Sequence, residues 1–508
     1  LQAQLQASID NTLKGYTALS DNGVYAMQAA ATCVDNSTGD VVAIVGSRSQ
    51  DTITGYTLNR AYQSSRQPGS AIKPLLVYTP FLQLGSNNPD TIVKDEAIDY
   101  SGDITLRDAV KYSKNTVAWN ILQQITPRSG MAFLTKMDFK NIWMDKDHIA
   151  TSLGGFTYGV TTEEMAGAYA TIANDGVYIT PIFYTRVEDK NGNTVMEPTQ
   201  ETRRVISEGN AFILKSILTG PIIGTSDPTA PYCKISGQDV AGKTGTTTNN
   251  HDRWFCGFTN YYTAATWYGF DQPENLYPAK ANGTNRAARL WVAVMKKVHS
   301  DLPSSKFEKP SNIVTAKICK ASGKVATDAC TDTYTEYFVK GTIPGYCEGH
   351  EKLTICKETG KIATEFCPET EEKTYAKKPE KEDTNLWKTS DNGQYDIPTE
   401  TCDVHTKKQI KIPSVVGKTK EKALKTLKDL GLTVTVETKE SEKADGTVLA
   451  QSKAEGTTAT AGDSITITVS KKKKDDTQTP TPPKGNNEAV NDVVVDPDAP
   501  AANNEVKE

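Results

Sequence analysis

The sequence predicts an α/β (α+β) catalytic core, and three stretches carry that prediction. Residues 25–48, YAMQAAATCVDNSTGDVVAIVGSR, read as strand, turn, strand, because DNSTGD at 35–40 supplies turn residues between two apolar runs. From 70 to about 180 the apolar spacing is mostly helical. Residues 252–271, DRWFCGFTNYYTAATWYGFD, read again as two adjacent strands. Strands at both ends of one region, with helices between them, are expected to share a sheet. That topology brings residues near 70 within reach of residues near 243.

The elements follow in order. Residues 1–14 place Leu1, Leu5, Ile9 and Leu13 at helical spacing. After about residue 305 the composition changes and a repeat appears: ICKASGKVATDAC at 318–330 and ICKETGKIATEFC at 355–367, extended by CEGH at 347–350 and CDVH at 402–405. The polar run PETEEKTYAKKPEKEDTN at 368–385 reads as a solvated linker. At 412–470 a small unit follows, with Ala423, Leu424, Leu427 and Leu430 on one helical face and Gly431 as its stop, then LTVTVET, GTVLAQS and SITITVS as strands. The Pro-, Asn- and acid-rich end reads as disordered.

Composition excludes some classes. The chain has 508 residues and a net charge of −5, which does not suggest a nucleic-acid binder. No apolar run approaches the roughly 18 residues of a membrane span, and no signal peptide is visible. The chain starts at Leu1 rather than Met, so a fragment or processed product is expected. Cys33, Cys233 and Cys256 are scattered, which suits buried free thiols; the other six cysteines are crowded, which suits disulfides or metal.

Three short motifs carry chemistry. In SRQPGSAIKP (65–74), Pro68 and Gly69 break the chain before Ser70, and Pro74 is tolerated only at a helix start. Ser70 then sits at a helix N-terminus with Lys73 on the same face, a poor nucleophile beside an amine able to take its proton. The plain alternative is a capping serine and a surface lysine. In YSKNTVAWN (112–120), Ser113 and Asn115 flank an exposed-looking Lys114; alone, this is a helix cap. In VAGKTGTTTNNHDRWF (240–255), Lys243, Thr244 and Thr246 offer charge and hydroxyls to a carboxylate, and Gly245 lets another backbone approach; alone, this is a turn-rich hairpin approach. In the order S-x-x-K, S-x-N, K-T-G they form the signature set of serine β-lactamases and penicillin-binding proteins.

The surroundings, NRAYQSSRQPGSAIKP (59–74), ITLRDAVKYSKNTVAWNIL (104–122), YGVTTEEMAGAYATIANDGVYITP (158–181) and VAGKTGTTTNNHDRWFCGFT (240–259), resemble the transpeptidase domain of class A penicillin-binding proteins over about residues 1–300. The resemblance implies a β-lactamase-like fold: an antiparallel sheet flanked by helices, plus a helical subdomain. It implies a D,D-transpeptidase that crosslinks peptidoglycan stem peptides ending in D-Ala-D-Ala and is acylated by β-lactams. Ser70 would be the nucleophile, Lys73 its base, Ser113 the proton relay, and Asn115 a holder of the substrate amide and Lys73. Lys243 would set the field and contact Ser113; Thr244 and Thr246 would bind the carboxylate, beside Gly245. Backbone N–H groups of Ser70 and Thr246 would form the oxyanion hole. No cofactor is implied. The setting would be the extracytoplasmic face of the bacterial membrane, through an anchor and a glycosyltransferase domain that this chain does not contain.

The rivals are a D,D-carboxypeptidase, a class B transpeptidase, a β-lactamase and a non-catalytic β-lactam or wall sensor. A β-lactamase needs a deacylating acid; Glu163 and Glu164 are nearest, but they fit the start of a helix that Thr162 can cap. Residues 412–470 resemble a PASTA domain, one helix on three strands, with Lys453 where the family usually has proline. Each cysteine repeat holds a Cys₃His set (Cys319, Cys330, Cys347, His350; Cys356, Cys367, Cys402, His405), a count that suits zinc. Long spacings and an extracytoplasmic setting favour disulfides instead, Cys319–Cys330 and Cys356–Cys367, and no metal is assigned. The expected layout is a leading helix at 1–20, the transpeptidase at 21–305, the cysteine repeat and linker at 312–408, PASTA at 409–471 and a disordered tail at 472–508.

Overall fold

Strand β1 (Met27–Asp35) is buried over all but its last residue, which explains its run of alanines: helices pack on both of its faces. The computed structural model describes residues 1–50, 58–95, 102–224, 228–276, 285–377 and 396–472. With β2 (Val41–Val45), β3 (Ala241–Thr246), β4 (Asp252–Phe258) and β5 (Tyr262–Phe270), β1 builds a five-stranded sheet in the order β2-β1-β5-β4-β3. Every pairing is antiparallel, and β1 and β5 pair from Met27 opposite Phe270 to Asp35 opposite Tyr262. The strands predicted at the two ends of the region do meet. The turn at 35–40 closes as expected: the Asp35 carboxylate accepts from the N–H groups of Ser37 and Thr38.

Alternation along β1 splits the core in two. Ala29, Ala31 and Cys33 face a cluster with Leu5, Ile9 and Leu13 of helix α1 (Gln2–Leu13) and Trp291 and Val294 of the later helix Arg286–Val298. Ala30 and Val34 face the opposite cluster, which holds Met165 and Tyr169 of helix α2 (Thr162–Ala173), together with Trp254 and Trp267. Of the four apolar residues predicted on α1, Leu1 alone is exposed. Every residue of α2 is buried; Thr161, not Thr162, is the cap, and Glu164 returns the bond to the Thr161 N–H at 2.8 Å. Cys33, Cys233 and Cys256 are buried free thiols.

The later region departs from expectation. Ile313–Cys319 pairs with Thr333–Val339, and His350–Cys356 with Thr370–Ala376, so the first part of the supposed linker at 368–385 is a strand. None of the six crowded cysteines is bridged, which overturns the expected pairs Cys319–Cys330 and Cys356–Cys367. The chain forms two compact units that divide the repeat: one takes Leu1–Ile355 and resumes at Glu371, the other joins Cys356–Thr370 to the residues from Glu400. In the second unit Lys420–Asp429 is a helix, and Thr433–Glu440, Ser464–Lys471 and Val448–Gln451 form one sheet around Ala423, Leu427, Val448 and Ile467. Gly431 stops the helix at φ +76. Lys453 Nζ lies 3.0 Å from the Asp463 carboxylate. The tail predicted to be disordered lies outside the described residues from 473 on.

Within the first unit, Arg107 joins the catalytic core to strand Thr333–Val339. Its guanidinium forks onto the carboxylate of Glu336, itself 2% exposed, and its Nη1 and Nη2 donate to Ser216 O and Oγ. Arg107→Ala leaves a buried carboxylate uncompensated, so it is expected to cost roughly 3–5 kcal/mol. Calorimetric unfolding measures this; a transition unchanged from that of the parent chain contradicts it.

Candidate active site

The Ser70 turn is built by a helix that changes pitch. Gly69–Ile72 is 3₁₀, Pro74–Tyr78 is π-helical and Thr79–Leu84 is α-helical. In a 3₁₀ turn, residues three apart eclipse, so Ser70 and Lys73 share a face. Pro74, which has no N–H to give, enters where the pitch widens. The Tyr169 hydroxyl of α2 donates to Ala71 O at 2.6 Å, and the indole N–H of Trp254 in β4 donates to Gln67 O at 2.8 Å; both bonds hold the turn against the core.

Two glycines let the turn meet the sheet edge. A Cβ on Gly245 of β3 would lie 2.3 Å from Pro68 O and 3.0 Å from the Ala71 Cβ. Gly69 has φ +53, and a Cβ there would lie 2.5 Å from Thr246 O. Backbone therefore meets backbone at this seam, the close approach expected of Gly245.

Lys73 is fully buried, and its Nζ donates to Ser113 O at 2.9 Å, Lys114 O at 3.1 Å and Asn115 Oδ1 at 2.7 Å. To turn those carbonyls inward, Ser113 adopts φ +57, a left-handed conformation that costs a non-glycine residue of order 1–3 kcal/mol. Asn115 then opens helix Asn115–Ile125. Lys114 is not the exposed residue it resembles in sequence: its ammonium sits 3.1 Å from the buried carboxylate of Asp95. Lys243 is also fully buried, and its Nζ donates to Ser113 Oγ at 2.7 Å and to Thr244 O at 3.2 Å. The three motifs, distant in sequence, thus converge through hydrogen bonds.

Electrostatics follow from burial. Desolvation, and then the nearby charge of Lys243, push the Lys73 ammonium well below the usual lysine range. Desolvation alone lowers Lys243 to about 7. Two buried ammonium groups around Ser113 are a poor arrangement, and the site favours losing one proton.

Strand β3 is the end strand of the sheet among the described residues. Thr247 donates its N–H to Asp252 O, and backbone groups alternate sides along a strand, so the N–H of Thr246 points away from β4 toward the open edge. Thr246 is exposed, and its hydroxyl accepts from Arg253 Nη1 at 2.8 Å. Arg253 pairs with Thr246 across β4 and β3. Sequence reasoning missed this arginine; the strand pairing of K-T-G with the following DRW was the signal that could have found it. Past Thr246 the cleft opens into a cavity of about 410 Å³, lined by Gln67, Gly154, Phe156, Thr247, Asn249 and Asp252 among others. Glu164, a candidate deacylating acid, spends its second oxygen on the Lys140 N–H at 2.8 Å.

Comparison with known proteins bears on the same constellation. Residues 29–290 match the penicillin-binding protein transpeptidase domain, 309–352 the C-terminal domain of penicillin-binding protein 1A, and 410–471 the PASTA domain. Penicillin-binding protein 1A of Clostridium acetobutylicum is 33% identical over 377 residues, 69% of this chain and 44% of that protein. Penicillin-binding protein 1A/1B of Bacillus subtilis is 31% identical over 68% of this chain and 40% of its own length. The chain therefore spans less than half the length of these relatives. The crystal structure of penicillin-binding protein 1A from Haemophilus influenzae is similar at TM-score 0.54 and 26% identity, over 64% of this chain and 56% of that one. PonA1 of Mycobacterium tuberculosis, solved with penicillin V, shares the fold at TM-score 0.50 and 20% identity, over 61% of this chain and 87% of that one. With S-x-x-K, S-x-N and K-T-G joined by hydrogen bonds through the buried Lys73 and Lys243, the chain belongs to the penicillin-binding protein transpeptidase family.

Proposed function

We propose that this chain is the transpeptidase part of a longer wall-synthesis enzyme that works on the extracytoplasmic face of the bacterial membrane. It crosslinks peptidoglycan stem peptides ending in D-Ala-D-Ala and is acylated by β-lactams. The observation that carries the reading is the Lys73 ammonium, buried and tied to the S-x-N motif while Lys243 holds Ser113.

The Ser70 Oγ attacks the carbonyl between the two D-alanines, and its proton passes to the neutral amine of Lys73. The oxyanion rests on the N–H groups of Ser70 and Thr246, where each such donor contributes a few kcal/mol to the transition state. As the intermediate collapses, the C–N bond breaks and the departing D-alanine amine takes the Ser113 hydroxyl proton; Lys243 resupplies it. The terminal carboxylate lies against Thr244 and Thr246, with Arg253 behind the latter. An amine of a second stem then attacks the ester, forming the crosslink amide and restoring the Ser70 hydroxyl. A β-lactam enters by the same first step. Its ester persists, since Glu164 is committed to its helix cap and to Lys140.

Incubation with benzylpenicillin is expected to add one adduct, on the peptide containing Ser70, and none in Ser70→Ala. Lys73→Ala is expected to acylate about 10²–10⁴ more slowly, and Lys73→Arg to give no rescue, because arginine does not act as a neutral base. A stable adduct on another serine, or rapid drug turnover, overturns the reading.

Gly245→Ala forces the K-T-G strand off the Ser70 turn. Misplacement on that scale costs about 10²-fold, so acylation is expected to fall by that order while circular dichroism stays native. Parent-like acylation would show that the seam does not position the nucleophile.

A further inference from the structure

We propose that the region after the catalytic core binds two structural zinc ions. One is held by Cys319, Cys330, Cys347 and His350, the other by Cys356, Cys367, Cys402 and His405.

In each quartet the four ligand atoms lie within 4.8 Å of one another. The Nδ1 of His350 is 3.5, 3.7 and 3.4 Å from the sulfurs of Cys319, Cys330 and Cys347. The Nδ1 of His405 is 3.4 Å from the sulfurs of both Cys356 and Cys402. A tetrahedral zinc with Zn–S of about 2.3 Å and Zn–N of about 2.0–2.1 Å has N···S edges of about 3.6 Å. The observed distances are those edges. Pairwise disulfides do not account for them, because three sulfurs surround one imidazole and a third thiol would be left over.

The surroundings suit a thiolate-bound cation. The Thr327 N–H donates to Cys330 Sγ at 3.3 Å, and its repeat counterpart, the Thr364 N–H, donates to Cys367 Sγ at the same distance. The His405 N–H donates to Cys402 Sγ at 3.4 Å. Behind the ring, Nε2 of His405 lies 3.1 Å from the carboxylate of Glu358, the outer partner that a metal-bound histidine commonly has. Cys319, Cys347, Cys356, Cys402 and His405 are all buried. Four protein ligands close the coordination sphere, which marks a structural ion rather than a catalytic one. Three thiolates and an imidazole select zinc over hard cations, and edges of this length enclose one ion, not an iron–sulfur cluster.

The need for a staple is visible in the packing. Around the first quartet the apolar cluster is little more than Cys319, Ala321, Cys347, Ala326 and Cys330. So few apolar contacts leave the turns that carry the quartet with little else to hold them in place. Each binding event replaces three S–H bonds with three Zn–S bonds and releases three protons to solvent.

The test uses the whole chain, purified without chelator, exposed to zinc chloride and dialysed. Mass spectrometric metal analysis is expected to find two zinc ions per chain, and Cys402→Ser one. Cobalt(II) exchange is expected to give the visible absorption of tetrahedral cobalt–thiolate, a readout that survives if the variant folds poorly. Non-reducing peptide maps that join Cys319 to Cys330 and Cys356 to Cys367 would overturn the proposal. So would nine free thiols with no zinc retained.

Discussion

The structure turns on a lysine ammonium placed where water does not reach. Lys73 is fully buried, and among the described residues three oxygens offset its desolvation: two backbone carbonyls and the Asn115 side chain. A cation held this way is pinned in place yet ready to lose its proton, because burial and the charge of Lys243 both disfavour it. The cost appears elsewhere, in the left-handed Ser113 that turns its carbonyl inward.

The rest of the catalytic core keeps that arrangement rigid. The Ser70 turn is wedged between a sheet edge and a wholly buried helix, through the Gly245 seam on one side and Tyr169 on the other. Small residues on β1 allow helices on both faces, which clamps the sheet that carries Lys243. Ser70 and Lys73 thus come from one turn, Ser113 from the turn before helix Asn115–Ile125, and Lys243 from strand β3.

Much of this was legible in the sequence, because the relevant signals are local. Pro68-Gly69 before Ser70 and Pro74 after it leave only a helix start, and Gly245 inside a strand announces a close approach. The pairing of the two end strands followed from apolar runs. What escaped was non-local. Lys114 looks exposed until Asp95 is brought beside it, and Arg253 gains its role only through its register with Thr246. The change of pitch at Pro74 has no local signature. Thr161 and Thr162 are equivalent as caps by composition, and Glu164 decides between them. The cysteine repeat was visible, but whether sulfurs pair or converge depends on where His350 and His405 fall in space.

The most direct test of the account is the pH dependence of acylation by benzylpenicillin. In the proposed mechanism the neutral amine of Lys73 takes the Ser70 proton, so the rate is expected to rise as pH passes through the Lys73 pKa. Because burial and Lys243 lower that pKa, the rise should level off well before 10.5, the ordinary lysine value. A rate that keeps climbing to 10.5 would show that Lys73 titrates as a solvated lysine and would contradict the account.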